Sequence, residues 1–70
     1  MFYTVLEIQE GKDGVRGCIP VIFDSYDAAL AKYYQVLSVA AAGTLPYHGC
    51  VILASSGVIT DERIFDRREV

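Results

Sequence analysis

The chain opens on alternation. From Phe2 to Gln9, Phe2, Leu6 and Ile8 fall on one side and Tyr3, Val5, Glu7 and Gln9 on the other, the period of two that a half-buried strand needs. Glu10-Gly11-Lys12-Asp13-Gly14 interrupts it with a pair of glycines, a composition that predicts a hairpin turn. Alternation resumes from Val15 to Phe23, with Val15, Ile19, Val21 and Phe23 opposed to Arg16, Cys18, Pro20 and Ile22. Pro20 has no N–H for a ladder, so this second strand is expected at a sheet edge or at a bulge.

The period then changes. Between Asp24 and Gly43, Tyr26, Leu30, Tyr33, Leu37 and Ala41 recur at helical spacing, with Ala29, Tyr34 and Ala40 on the margins of the stripe. This predicts the single helix of the chain. Asp24 is the expected N-cap, with Asp27 adding negative charge to the first turn. Gly43 is expected to end the helix in a left-handed conformation.

Beyond Thr44-Leu45-Pro46, Tyr47 to Ala54 reads as a third strand whose run Cys50-Val51-Ile52-Leu53-Ala54 is apolar on both faces. Ser55-Ser56-Gly57 predicts a hairpin turn, Val58 to Phe65 a fourth strand, and Asp66 to Val70 a polar tail. The order β-β-α-β-β places the chain in the α+β class: one domain over residues 1–70, a four-stranded, mainly antiparallel sheet with the helix packed on one face. The opposite face is expected to carry Tyr3, Val5, Cys18, Ile22 and one side-chain set of the third strand. That is too apolar for water, so a homo-oligomer is expected.

Composition strengthens this expectation. With 70 residues, of which 53% are hydrophobic, and a mean hydropathy of +0.32, the chain holds more apolar side chains than one small core accommodates. A net charge of −3 gives no electrostatic reason to seek DNA or RNA, so a nucleic-acid polymer is not an expected partner. The cysteines, Cys18 and Cys50, make no disulfide scaffold, and a cytoplasmic chain with reduced thiols is expected. No Asp, Glu, Lys or Arg occurs from Tyr33 to Thr60. Glycines, Pro46 and serines interrupt that stretch and its period changes midway, which fits a helix tail and a buried hairpin rather than a membrane span.

Candidate chemistry is thin. His48 and Cys50 lie two apart on a strand and point the same way, as a thiol and its base would, but no orienting group or oxyanion site accompanies them. Adding Cys18 matches no compact zinc spacing, so neither metal nor cofactor is expected. Gly11 to Gly17 is Gly-rich but leads into a strand, whereas a phosphate-cradling loop leads into a helix. Asp61 and Glu62 are adjacent and face opposite sides of a strand, a poor acid–base pair. Tyr33, Tyr34 and Tyr47 with His48 are the better candidates, because half-buried aromatic rings stack on bases. Arg63, Arg67 and Arg68 supply forks that suit phosphate. Against this, margin tyrosines usually belong to the core, and terminal arginines usually serve solubility.

Lys32 to Ala41, Pro46-Tyr47-His48 and Ile64-Phe65-Asp66-Arg67-Arg68 together resemble a group of very small proteins encoded by phages and prophages of gut Firmicutes. The resemblance implies a role against host defence. One such class forms compact oligomers, "sponges", that bind nucleotide-derived immune signals, such as cyclic nucleotides or ADP-ribose conjugates, without cleaving them. On that basis the expected function is sequestration of such a signal at a subunit interface, in the host bacterial cytoplasm. Tyr33, Tyr34 and Tyr47 would stack, His48 would make a polar contact, and Arg63 and Arg67 would hold phosphate. The alternatives are an inhibitor that binds a host nuclease or Cas effector, and a minor virion or assembly component. An enzyme is not expected.

Overall fold

The computed structural model of the chain describes residues 1–68. Glu69 and Val70 of the expected polar tail lie outside the described residues. Four strands, β1 (Tyr3–Glu10), β2 (Arg16–Phe23), β3 (Tyr47–Ala54) and β4 (Ile59–Asp66), and one helix, α1 (Tyr26–Ala42), follow in the order β-β-α-β-β. They form one sheet in the order β2-β1-β3-β4, with every neighbouring pair antiparallel. The α+β architecture is the expected one.

Each strand's place follows from its composition. β3 is apolar on both faces and occupies a central position beside β1, where both its edges are paired. β2, which contains Pro20, lies at an edge, where a missing donor costs no interior ladder bond. Gly14 (φ 83°) and Gly57 (φ 93°) supply the left-handed residues of the two hairpin turns.

Because all pairings are antiparallel, side chains line up in rows across the sheet. The rows Phe23-Tyr3-Ala54, Val21-Val5-Ile52-Asp61, Ile19-Glu7-Cys50-Arg63 and Gly17-Gln9-His48-Phe65 share the side that meets α1. On the other side lie Ile22-Thr4-Leu53, Pro20-Leu6-Val51-Glu62, Cys18-Ile8-Gly49-Ile64 and Arg16-Glu10-Tyr47-Asp66. The expected grouping of Tyr3 and Val5 with Cys18 and Ile22 is therefore corrected. Val5 stands opposite Val21, and directly opposed residues project to one face, so β1 lends Leu6 and Ile8 to the open side instead.

The core consists of Val5, Ala29, Tyr33, Val36, Cys50 and Ile52. Ala29, Tyr33, Val36 and Ala40 are the buried helix positions, while Tyr26, Leu30 and Leu37 pack partly buried around the core and Ala41 is exposed. The buried stripe thus centres one position away from the expected one. Small alanines let the helix backbone approach the central strands, and the bulkier side chains fill the wedges on either side. Tyr26 also donates its hydroxyl to Asp61 Oδ2 at 2.6 Å, tying the first helical turn to β4.

Both helix ends differ from expectation in detail. Ser25, not Asp24, is the N-cap: its Oγ accepts from the Ala28 N–H at 3.2 Å. Gly43 is extended (φ −83°, ψ 178°) rather than left-handed. The Ala40 carbonyl accepts from the Gly43 N–H at 3.3 Å, and Arg67 reaches the same end from outside the helix. Its Nη2 donates to Ala40 O at 2.8 Å and to Ala41 O at 3.2 Å, and its Nη1 donates to Leu45 O at 3.2 Å. A guanidinium there satisfies the orphan acceptors and opposes the negative end of the helix dipole.

Candidate functional site

The row Arg16-Glu10-Tyr47-Asp66 forms one end of the open face, where the first residues of β2 and β3 meet the last residues of β1 and β4. Here a polar cluster surrounds a pocket of about 260 Å³, lined by Ile8, Gln9, Glu10, Arg16, Tyr47 and Arg68. Arg16 Nε donates to Glu10 Oε1 at 2.8 Å. Arg68 grips Asp66 with Nε at 2.9 Å and Nη2 at 2.8 Å, and its guanidinium carbon lies 4.5 Å from the Tyr47 ring centroid. The Arg68 fork pulls the Asp66 carboxyl down to about 2 and its own proton is held more tightly in return. Both arginines are charge-compensated; the Arg16 side chain is 79% exposed while that of its partner Glu10 is 11% exposed, so an incoming anion can reach the guanidinium from the solvent side without displacing the carboxylate.

A second, wider hollow of about 340 Å³ lies beside the first hairpin, between Gly11, Asp13, Val15, Gly17 and Leu45, with Gln9 and Arg16 common to both. Arg16 is thus the cation shared by the two cavities. The Gly-rich segment shapes this hollow through its turn: Gly11 N–H bonds Val15 O, and Gly14 N–H bonds Gly11 O, each at 2.9 Å.

The six residues singled out from sequence do not come together. Tyr47 lines the 260 Å³ pocket on the open face. His48, its neighbour on the strand, projects to the opposite side and is buried, 4% exposed. Its Nε2 lies 2.8 Å from Glu7 Oε2, and its Nδ1 has no partner among the described residues. The Glu7 carboxylate can only accept, so the proton between them resides on Nε2. Tyr33 is buried in the core, its hydroxyl pushed up chiefly by burial. Tyr34 is exposed and meets Tyr33 edge-on at 5.6 Å. Arg63 lies over the Phe65 ring at 4.9 Å, and Arg67 lies 5.5 Å from the same ring while holding the end of α1.

His48 and Cys50 share a face, but their environments oppose nucleophilic chemistry. Cys50 is fully buried and burial pushes its thiol up to about 11, the reverse of what an attacking thiolate needs. The imidazole that would serve it is bonded to Glu7. Among the described residues no group of three or more His, Cys, Asp or Glu is placed to hold a metal ion, and no helix is long and apolar enough to cross a membrane.

Arg68 is one of the three arginine forks the sequence offered; Arg16 and Glu10 are site residues it did not single out. Their signal lay in the register: pairing the first hairpin about Gly11 to Gly14 sets Arg16 opposite Glu10, and β3 adds Tyr47 to the same row. The comparisons add no further information, because no family model, no curated protein and no solved structure matches the chain.

Proposed function

We propose that this chain is a non-catalytic binding protein that sequesters a nucleotide-derived signal in the host bacterial cytoplasm. It would oppose a defence system, as the resemblance to small phage proteins implies. The observation that carries this reading is the 260 Å³ pocket, which combines one aromatic ring, Tyr47, with two guanidinium groups, Arg16 and Arg68. A planar base suits the ring and a phosphate suits the forks. The volume is below the ~300 Å³ lower bound of pockets that enclose a drug-sized ligand, so one copy grips part of a nucleotide rather than enveloping it. Tyr47 keeps the stacking role expected of it, and Arg16 and Arg68 take the phosphate role for which Arg63 and Arg67 stood in the sequence.

The test is thermal denaturation with cyclic mononucleotides, cyclic dinucleotides and ADP-ribose conjugates. A ligand at about a hundred times its Kd adds about 2.7 kcal/mol, which raises Tm by about 18 °C in a domain of this size. Arg16→Ala with Arg68→Ala should remove the shift; because it leaves the buried Glu10 carboxylate without a cation, the basal Tm should fall, and the ligand shift is read against the variant's own baseline. The bound nucleotide should be recovered intact after denaturation. The assignment is wrong if the double variant still binds, or if no nucleotide in the panel moves Tm. Arg67→Ala does not test it, since Arg67 holds the helix end.

A second reading, an inhibitor that binds a host nuclease or Cas effector, is favoured by the uncovered apolar face of the sheet. It predicts that a host protein co-purifies in fixed stoichiometry.

A further inference from the structure

The open side of the sheet presents Leu6, Ile8, Val51, Leu53 and Ile64 across its centre, with Pro20 and Ile22, the latter 63% exposed, on the β2 edge. We propose that a second copy of this chain covers that face, sheet against sheet, about a two-fold axis running parallel to the strands.

Area and charge both lead to this occupant. Four strands of eight residues at spacings of ~4.8 Å and ~3.3 Å make a face of roughly 500 Å². Two such faces bury about 1,000 Å² in total, the lower bound for a specific interface, and the centre is as apolar as a homodimer core.

The end row chooses the axis. Its two ends are opposite in sign, Arg16 on β2 and Asp66 on β4, each also held within its own chain, by Glu10 and Arg68 respectively. An axis parallel to the strands lays β2 on the partner's β4 and β1 on the partner's β3, each row facing its own reversed copy. Arg16 then meets the partner's Asp66, and Leu6 meets the partner's Val51. An axis perpendicular to the strands would instead set Arg16 over the partner's Ile22. The parallel axis also brings the two Tyr47 pockets to the same end of the dimer, where each copy completes the other's walls. Sheet-on-sheet packing at ~10 Å separation and ~30° is the ordinary geometry of such a pair.

The test needs no ligand, so its failure is separate from failure of the nucleotide reading. Sedimentation of the wild-type chain should show a dimer at micromolar concentration. Arg16→Glu and Asp66→Arg, each made alone, create two like-charge contacts per dimer and should weaken it by about tenfold or more, a coupling of about 1.4 kcal/mol. Mixing these two variants restores both opposite-charge contacts, so a heterodimer should form at near wild-type affinity. Leu6→Lys, at the centre of the face, should give a folded monomer by circular dichroism. Cys18, on the same face, should react with a thiol reagent more slowly in the dimer than in that monomer. A wild-type monomer at tens of micromolar overturns the proposal, as does a Leu6→Lys chain that still dimerises. The axis is wrong if the charge variants dimerise like wild type alone and show no preference for each other.

Discussion

The two faces of the sheet are built from nearly the same kinds of residue, yet only one is finished within the chain. Ile52 and Val51 are neighbours on β3. Ile52 is 0% exposed beneath the helix, and Val51 is 9% exposed with no helix above it, sheltered by cross-strand neighbours such as Leu6. On the covered face the burial is three-dimensional, because Ala29 and Ala40 bring the helix backbone close. On the open face it is lateral, strand beside strand, and the outward surfaces stay apolar. Apolar side chains in a row can shade one another, but only a second layer removes the surface they share.

The sharpest way to break this comparison is to hollow the covered face. Ile52→Ala should cost about 3 kcal/mol by urea denaturation, within the range for large-to-small changes in a packed core. Leu6→Ala, measured at a concentration where the chain is monomeric, should cost less than half as much. Equal losses would mean that the faces are equally packed.

Gly49 probes the open face from the opposite direction. A Cβ there would lie 2.7 Å from Ile64 Cα and against the Arg63 carbonyl, backbone that cannot move aside. Gly49→Ala should destabilise by about 2 kcal/mol, read as a shift of the denaturation midpoint. No loss would place β4 further from β3 than the register requires.

Arg67→Ala should cost about 1 kcal/mol, the weight of capping interactions at a helix end, and amide exchange should quicken in the last turn of α1 first. A change confined to ligand binding, with the helix end unaltered, would contradict the hydrogen bonds of Arg67 to Ala40 and Ala41.

The covered face also has a pH dependence. In the unfolded chain Cys50 ionises near its ordinary value of 9.0, whereas in the folded chain burial delays it to about 11. The folded state therefore holds the proton more strongly, and its stability should fall as pH rises from about 9 to about 11. Cys50→Ala should flatten that part of the profile. At pH 8 a thiol reagent should label Cys18 in the folded chain and Cys50 only on unfolding; equal labelling would show that the core opens.

Much of the fold was legible because local periodicity reports it. Glycines marked the two turns, Pro20 marked an edge strand, and the apolar run of β3 marked a centre. The binding residues were less legible. Tyr47 and His48 are adjacent in sequence and were grouped, although neighbours on a strand project to opposite faces. Arg67 offered a phosphate fork in the sequence, and its guanidinium instead holds carbonyls at the end of α1, a partner visible only when β4 lies alongside that end.

By itself the sequence determined the β-β-α-β-β order, the positions of the turns and the excess of apolar surface over what one small core can hide. These depend on residue spacing and composition, and spacing is a local quantity. Tertiary structure decided which face of β1 meets the helix, which position centres the buried stripe, and that Arg16, Glu10, Tyr47 and Asp66 stand in one row. Each of those depends on register between segments distant in the chain, where a shift of one residue would turn every side chain to the other face.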